Sequence, residues 1–130
     1  MIRTFTNFHY HKAAGMFLLR LATGLVFLNH GWTKLLGLAG AKSFFAGLGL
    51  PAETAILIAV VEVVGGVMLL LGIAPRFAGL ILGVEMICAM IMVGLPQGNY
   101  ELELVLAASA LAIFLVGSSR YALYPMERGE

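Results

Sequence analysis

The chain has 130 residues, 61% of them hydrophobic and 12% charged, with a formal net charge of +1. A soluble domain this small has too much surface for its volume to hide that apolar content, whereas lipid can stand in for the missing core. The balanced charge gives nucleic-acid binding no electrostatic support, and the single cysteine, Cys88, excludes an intrachain disulfide, a CxxC motif and a cysteine-built zinc site.

Residues 1–12 set Phe5, Phe8 and Tyr10 among polar neighbours and read as a short interfacial segment on the inner membrane surface. The apolar run 13–38 far exceeds the ~7–15 residues of a signal-peptide core, so it predicts a retained first span rather than a cleaved leader. Gly47, Gly49 and Pro51 then break the chain, with Phe44 and Phe45 placed for the interface. A second span is predicted over 54–74, closed by Gly72 and Pro75 in a turn short enough to make its neighbours antiparallel. A third runs over 77–95, and Pro96, Gly98 and Asn99 divide it from a fourth over 100–117. Each run is near the ~20 residues a helix needs to cross a bilayer, and none shows the alternation of barrel strands.

The fold predicted is an all-α integral membrane four-helix bundle over residues 13–121, followed by a cytoplasmic tail at 122–130. Arg3, Lys12, Arg76, Arg120 and Arg128 would share one side, against Lys42 and Lys34 on the other. The positive-inside rule then gives N-in/C-in. Gly79 and Gly83 form a GxxxG pair, Gly65–Gly66 follow Glu62, and Ala107, Ala108, Ala110 and Ala112 stud the last span. Such residues let helix backbones approach. Packing within the bundle is the reading favoured over a homo-oligomer seam.

Ionisable groups interrupt every span: Arg20, His30 and Lys34 in the first, Glu62 in the second, Glu85 in the third, and Glu101 and Glu103 in the fourth. A charge at membrane depth costs roughly 2.5–3.5 kcal/mol on insertion scales, so a chain needing only an anchor avoids it. Helical spacing lines up Arg20, Phe27, Gly31 and Lys34 on one stripe, with His30 about 100° from Gly31. At 1.5 Å per residue, Arg20 would lie roughly 10 Å, Glu85 roughly 12 Å and Glu62 roughly 18 Å from the inner boundary. That predicts a lower group of Arg20 with Glu62 and Glu85. An upper group would join His30 and Lys34 to Glu101 and Glu103.

The competing reading is structural: opposite charges pair and fix helix register. Lys34 can also snorkel from a helix end. Glu101 and Glu103 lie in a first turn, where carboxylates suit the helix dipole. His30 has no second histidine in another span to complete a haem site, so haem is disfavoured. Met86 and Met90 share one side of their helix and Cys88 and Met92 nearly the opposite one, which disfavours a metal site and favours packing. No GxSxG elbow, P-loop, GxGxxG or HExxH is present, so hydrolase chemistry has no support.

These motifs resemble the DoxX family of small four-helix membrane proteins. Residues 20–35 resemble its Arg … Gly-x-x-Phe-x-x-x-Gly-x-x-Lys-Leu pattern through Arg20, Gly24, Phe27, Gly31, Lys34 and Leu35. Phe44 through Pro51 resembles its first outer loop, and Glu62, Gly65, Gly66, Gly72 and Arg76 its second span and turn. Gly98, Asn99, Tyr100 and Glu101 match the start of the fourth span, and Gly117, Arg120 and Tyr121 its exit. The resemblance covers residues 15–121. The chain departs from it where Ala122-Leu123-Tyr124 replaces Ser-Leu-Asp, and where Glu85 and Glu103 occupy positions expected to be apolar. Family matching therefore favours Glu101 over Glu103.

The resemblance implies a multi-pass protein of the bacterial inner membrane, redox-associated and quinone-linked, since some relatives resemble the small subunit of a thiosulfate–quinone oxidoreductase. The chain carries no electron carrier of its own, so a role as a subunit with a redox partner is expected rather than an enzyme acting alone. Arg20, His30 and Lys34 would supply donors or positive charge to a small ligand, a quinone headgroup or an anion. Glu62 and Glu101 would take protons or orient the cations. Two readings compete: a small-solute or proton transporter component, against which no broken-helix pair or inverted repeat is seen, and a scaffold whose charges only lock helix packing.

Overall fold

The computed structural model describes residues 12–117. The interfacial reading of residues 1–12 (Lys12 apart) and the tail at 122–130, with Arg120, Tyr121 and Tyr124, lie outside the described residues. Within them, five helices follow in order: α1 Lys12–Leu36, α2 Leu38–Gly47, α3 Thr54–Leu71, α4 Pro75–Ala89 and α5 Glu101–Val116. A π-helical turn at Met90–Gly94 and a last turn at Leu95–Gln97 prolong α4, so that one helical rod runs over Pro75–Gln97. The fold is all-α.

Three helices are long and apolar enough to cross a membrane: Lys12–Leu36, Thr54–Leu71 and Pro75–Gln97. Their outward faces are apolar as well. Leu18, Leu25, Leu57, Val64, Phe77 and Ile91 are all exposed, which suits lipid and not water. The chain is thus a multi-pass membrane protein. Within the described segment α5 has 16 residues, all but Glu101, Glu103 and Ser109 apolar.

Local chemistry sets the breaks. Gly72 ends α3 in the left-handed region at φ 71°, and Ile73 N–H closes back on Met68 O at 2.9 Å. That six-residue ring is a Schellman closure, which glycine makes without a Cβ penalty. Pro75 opens α4, where its missing N–H costs nothing. Only Gly72, Ile73 and Ala74 link the two helices, so they run antiparallel. Gly72→Ala is expected to cost about 1–2 kcal/mol, the penalty of a Cβ at positive φ, read as a lower melting temperature in mild detergent.

Two features differ from the sequence reading. The segment after the first span is not a simple break. Gly37 ends the rod, and the ten residues of α2 form a separate helix with no buried residue. Its length and its glycines, Gly40 and Gly47, hid it among turn signals. The third span also continues past residue 95, because Pro96 sits inside the last turn and Gly98 supplies the left-handed stop at φ 70°. A proline ring clashes with the carbonyl four residues earlier, here Met92, and the wide turn at Met90–Gly94 gives that carbonyl room.

Helix pairs α1/α3 and α4/α5 form the main seams, with α3 joining α4 and α1 touching α5. Glycines make these seams close. A Cβ on Gly31 would lie 2.7 Å from Ala59 O, and one on Gly66 would lie 2.7 Å from Leu28 N. A Cβ on Gly79 would lie 2.6 Å from Ala110 O, so the GxxxG pair serves the α4/α5 seam of this bundle. Between the seams, Phe27, Leu69, Leu82, Ala110 and Ile113 are fully buried.

Candidate functional site

The contacts of the glycines fix the levels at which charged groups meet. Gly65 of α3 packs on Leu82 of α4. Because the helices are antiparallel, three residues back from Gly65 and three on from Leu82 are again at one level. Those residues are Glu62 and Glu85. Gly31 packs between Ala59 and Val63, which brings the α1 backbone near His30 and Gly31 to the level of Glu62. Lys34 starts one turn further toward α2.

Lys34 nevertheless turns inward. Its Nζ donates to Glu62 Oε2 at 2.7 Å and to Oε1 at 3.0 Å. The cause is helix geometry, since every Cα–Cβ bond tilts toward its own helix N-terminus. On α1 that direction carries Lys34 down toward the level of Glu62, and on antiparallel α3 it carries Glu62 up toward Lys34. The Glu62 carboxylate is 1% exposed, while the lysine side chain keeps 27% exposure. Removing Lys34 from such a pair is costly, because Glu62 would be left in its buried site without a cation.

Glu85 joins from α4. By the Gly65–Leu82 register its carboxyl is level with that of Glu62, and the two groups interact. Its Oε2 is buried and accepts no hydrogen bond among the described residues. A proton on either carboxyl would let it donate to the other, whereas two ionised carboxylates could only accept. The layer of Lys34, Glu62 and Glu85 can therefore hold a proton, offer an acceptor oxygen, and present an ammonium beside both.

The predicted lower group does not form in this way. Glu62 pairs with Lys34 and not with Arg20. By the α1/α3 register Arg20 sits ten residues from the level of Glu62, or about 15 Å along the axis, and its side chain tilts away. Arg20 is instead level with the Gly72 end of α3, 1% exposed, its guanidinium 5.8 Å from the centre of the Phe17 ring. Counting depth from the end of each span misses how the helices are offset, which is why the grouping fails. Glu85 does lie beside α3 as that count placed it, but it meets Glu62 itself.

No ion pair among the described residues joins the members of the predicted upper group. His30 is half-buried and outside the ion pair. Glu101 is exposed and Glu103 half-buried in the first turn of α5, with no ion pair to either among the described residues. Of the two, Glu103 is the one turned toward protein, against the preference drawn from the family pattern. Met86 is buried and Cys88 exposed, as helical spacing required. Arg76 does different work: its Nε donates to Phe114 O at 3.0 Å, satisfying a carbonyl in the last turn of α5.

The DoxX family profile matches residues 15–95, a stretch that contains Arg20, His30, Lys34, Glu62 and Glu85. The chain is similar to a Bacillus subtilis (strain 168) protein named "Putative oxidoreductase CatD", 38% identical over 114 residues, which cover 85% of each chain. No solved structure matches. A profile covering more than half of the chain, and a relative this similar along most of its length, place the protein: it belongs to the DoxX family.

Proposed function

We propose that the protein is the membrane subunit of a redox-associated, quinone-linked complex in a bacterial inner membrane, and that the Lys34–Glu62–Glu85 layer binds the small ligand. In this reading α5 is the fourth span, both termini and the Pro75–Arg76 turn face the cytoplasm, and α2 lies on the outer surface. The observation that carries it is the ion pair from α1 to a 1%-exposed carboxylate on α3, beside a second carboxyl with an open acceptor oxygen. A charge set of that cost in an apolar bundle suits a ligand that exchanges protons, as a quinone headgroup does. The relative's name supports the redox association. His30, Glu103 and Glu101 would line the approach from the α2 end, while Arg20 would act at a distance from the ligand.

The test is the quinone content of protein purified in mild detergent, extracted and measured by absorbance. Lys34→Met and Glu62→Gln are expected to lose bound quinone, with Glu101→Gln retaining it. Unchanged quinone in both core variants, or none in the wild type, would overturn the ligand assignment.

A further inference from the structure

The ionisable groups around the layer are distributed unevenly. Toward α2 lie Lys34 itself, His30, Lys42, Glu53, Glu101 and Glu103, all at least partly accessible. Toward the Pro75 turn, the next two to three turns of all four long helices hold no ionisable side chain until Arg20 and Arg76. Beyond the exposed Asn29, Thr23 and Ser109 are the polar side chains there. Phe27, Leu69, Leu82, Ala110 and Ile113 close that stretch, each with 0% exposure. Protein interiors packed this way leave no room for a chain of water.

We infer that the Glu62–Glu85 carboxyl pair is a proton-binding site that exchanges with one side of the membrane only, the side carrying α2, through Lys34. The facing groups on every packed helix agree with this. Lys34 and His30 approach from α1, Glu62 from α3 and Glu85 from α4. On α5 the α4/α5 register sets Ala107 near the level of Glu85, with Glu103 one turn nearer α2. Lys34 is the sole partly exposed member of the ion pair, and its stem reaches from the α2 end. A path across the membrane would need a second opening through the packed stretch, so the layer is a blind recess and the protein does not move protons through itself.

This rests on the polar layer being the working site of the proposal above, and not on which ligand it takes. The experiment uses sealed vesicles holding the full chain, treated from either side with a membrane-impermeant, water-soluble carbodiimide. That reagent adds to a protonated carboxyl, and a neighbouring amine can then displace it to leave an amide. An impermeant amine label marks the two sides, Lys42 reporting the α2 side and Lys12 the other. Peptide mass spectrometry should find Glu62 or Glu85 adducts, or a Lys34–Glu62 cross-link, after treatment from the Lys42 side and only background from the Lys12 side. Labelling from both sides, from the Lys12 side alone, or from neither would overturn the inference. Phe27→Ala should add labelling from the Lys12 side, with Leu82→Ala serving if the first variant fails to fold. If both fold and neither opens that side, the plug is not the barrier. Loss of quinone with one-sided labelling intact would leave this inference standing and remove the ligand assignment alone.

Discussion

Replacing Lys34 by methionine is expected to lower the stability of the protein by about 3–5 kcal/mol, measured by denaturant unfolding in detergent. The size follows from what remains. Glu62 is left without its cation in a site with 1% exposure. The double variant Lys34→Met with Glu62→Gln should recover most of the stability, since replacing both members of a buried pair is often neutral. Snorkelling predicts a different pattern, a loss below about 1 kcal/mol for the single change and no recovery from the second. Recovery of fold without recovery of quinone would further separate a ligand-binding layer from a scaffold.

The second large effect is at the α1/α3 seam. Gly31→Ala puts a Cβ at 2.7 Å from Ala59 O and 2.8 Å from Val63 N, both backbone atoms that no rotamer change can move. The helices must part, and overpacking of this kind costs about 1–3 kcal/mol. Because Gly31 lies one turn from Lys34, parting the seam also stretches the ion pair, so ligand binding should fall together with the melting temperature. Gly40→Ala is the control. Gly40 lies within α2, where an added Cβ would meet nothing within 4 Å, and alanine there should stabilise by up to about 1 kcal/mol. Equal effects at Gly31 and Gly40 would show that the seam is not close-packed in the membrane.

The hydrophobic runs made the long helices legible, because in lipid a helix must satisfy its own backbone and needs a minimum length. Gly72 and Gly98 read correctly as stops for the same local reasons that shape them in the structure, while Pro75 opens α4. The π-helical turn at Met90–Gly94 was not legible, since its sequence is as apolar and helix-compatible as its surroundings. Helix α2 was obscured by glycines that are also found in turns.

The charged residues of the layer were all identifiable, but their partners were not. Pairing depends on the offset between helices, which the glycine contacts set and hydropathy does not reveal. One signal was present: the Cβ tilt of antiparallel helices directs Lys34 and Glu62 toward each other, and Arg20 away from both. Applied to the charged residues, it favours the pair that forms.

Stability, ligand binding and one-sided exchange all depend on Lys34 of the first span meeting Glu62 of the second away from water, with Glu85 beside them. Dipolar-recoupling solid-state NMR in lipid bilayers measures this directly, with nitrogen label in Lys34 Nζ and carbon label in the Glu62 carboxyl. Strong dephasing at bonding distance is the predicted result, in keeping with the 2.7 Å contact. Absent dephasing would contradict it.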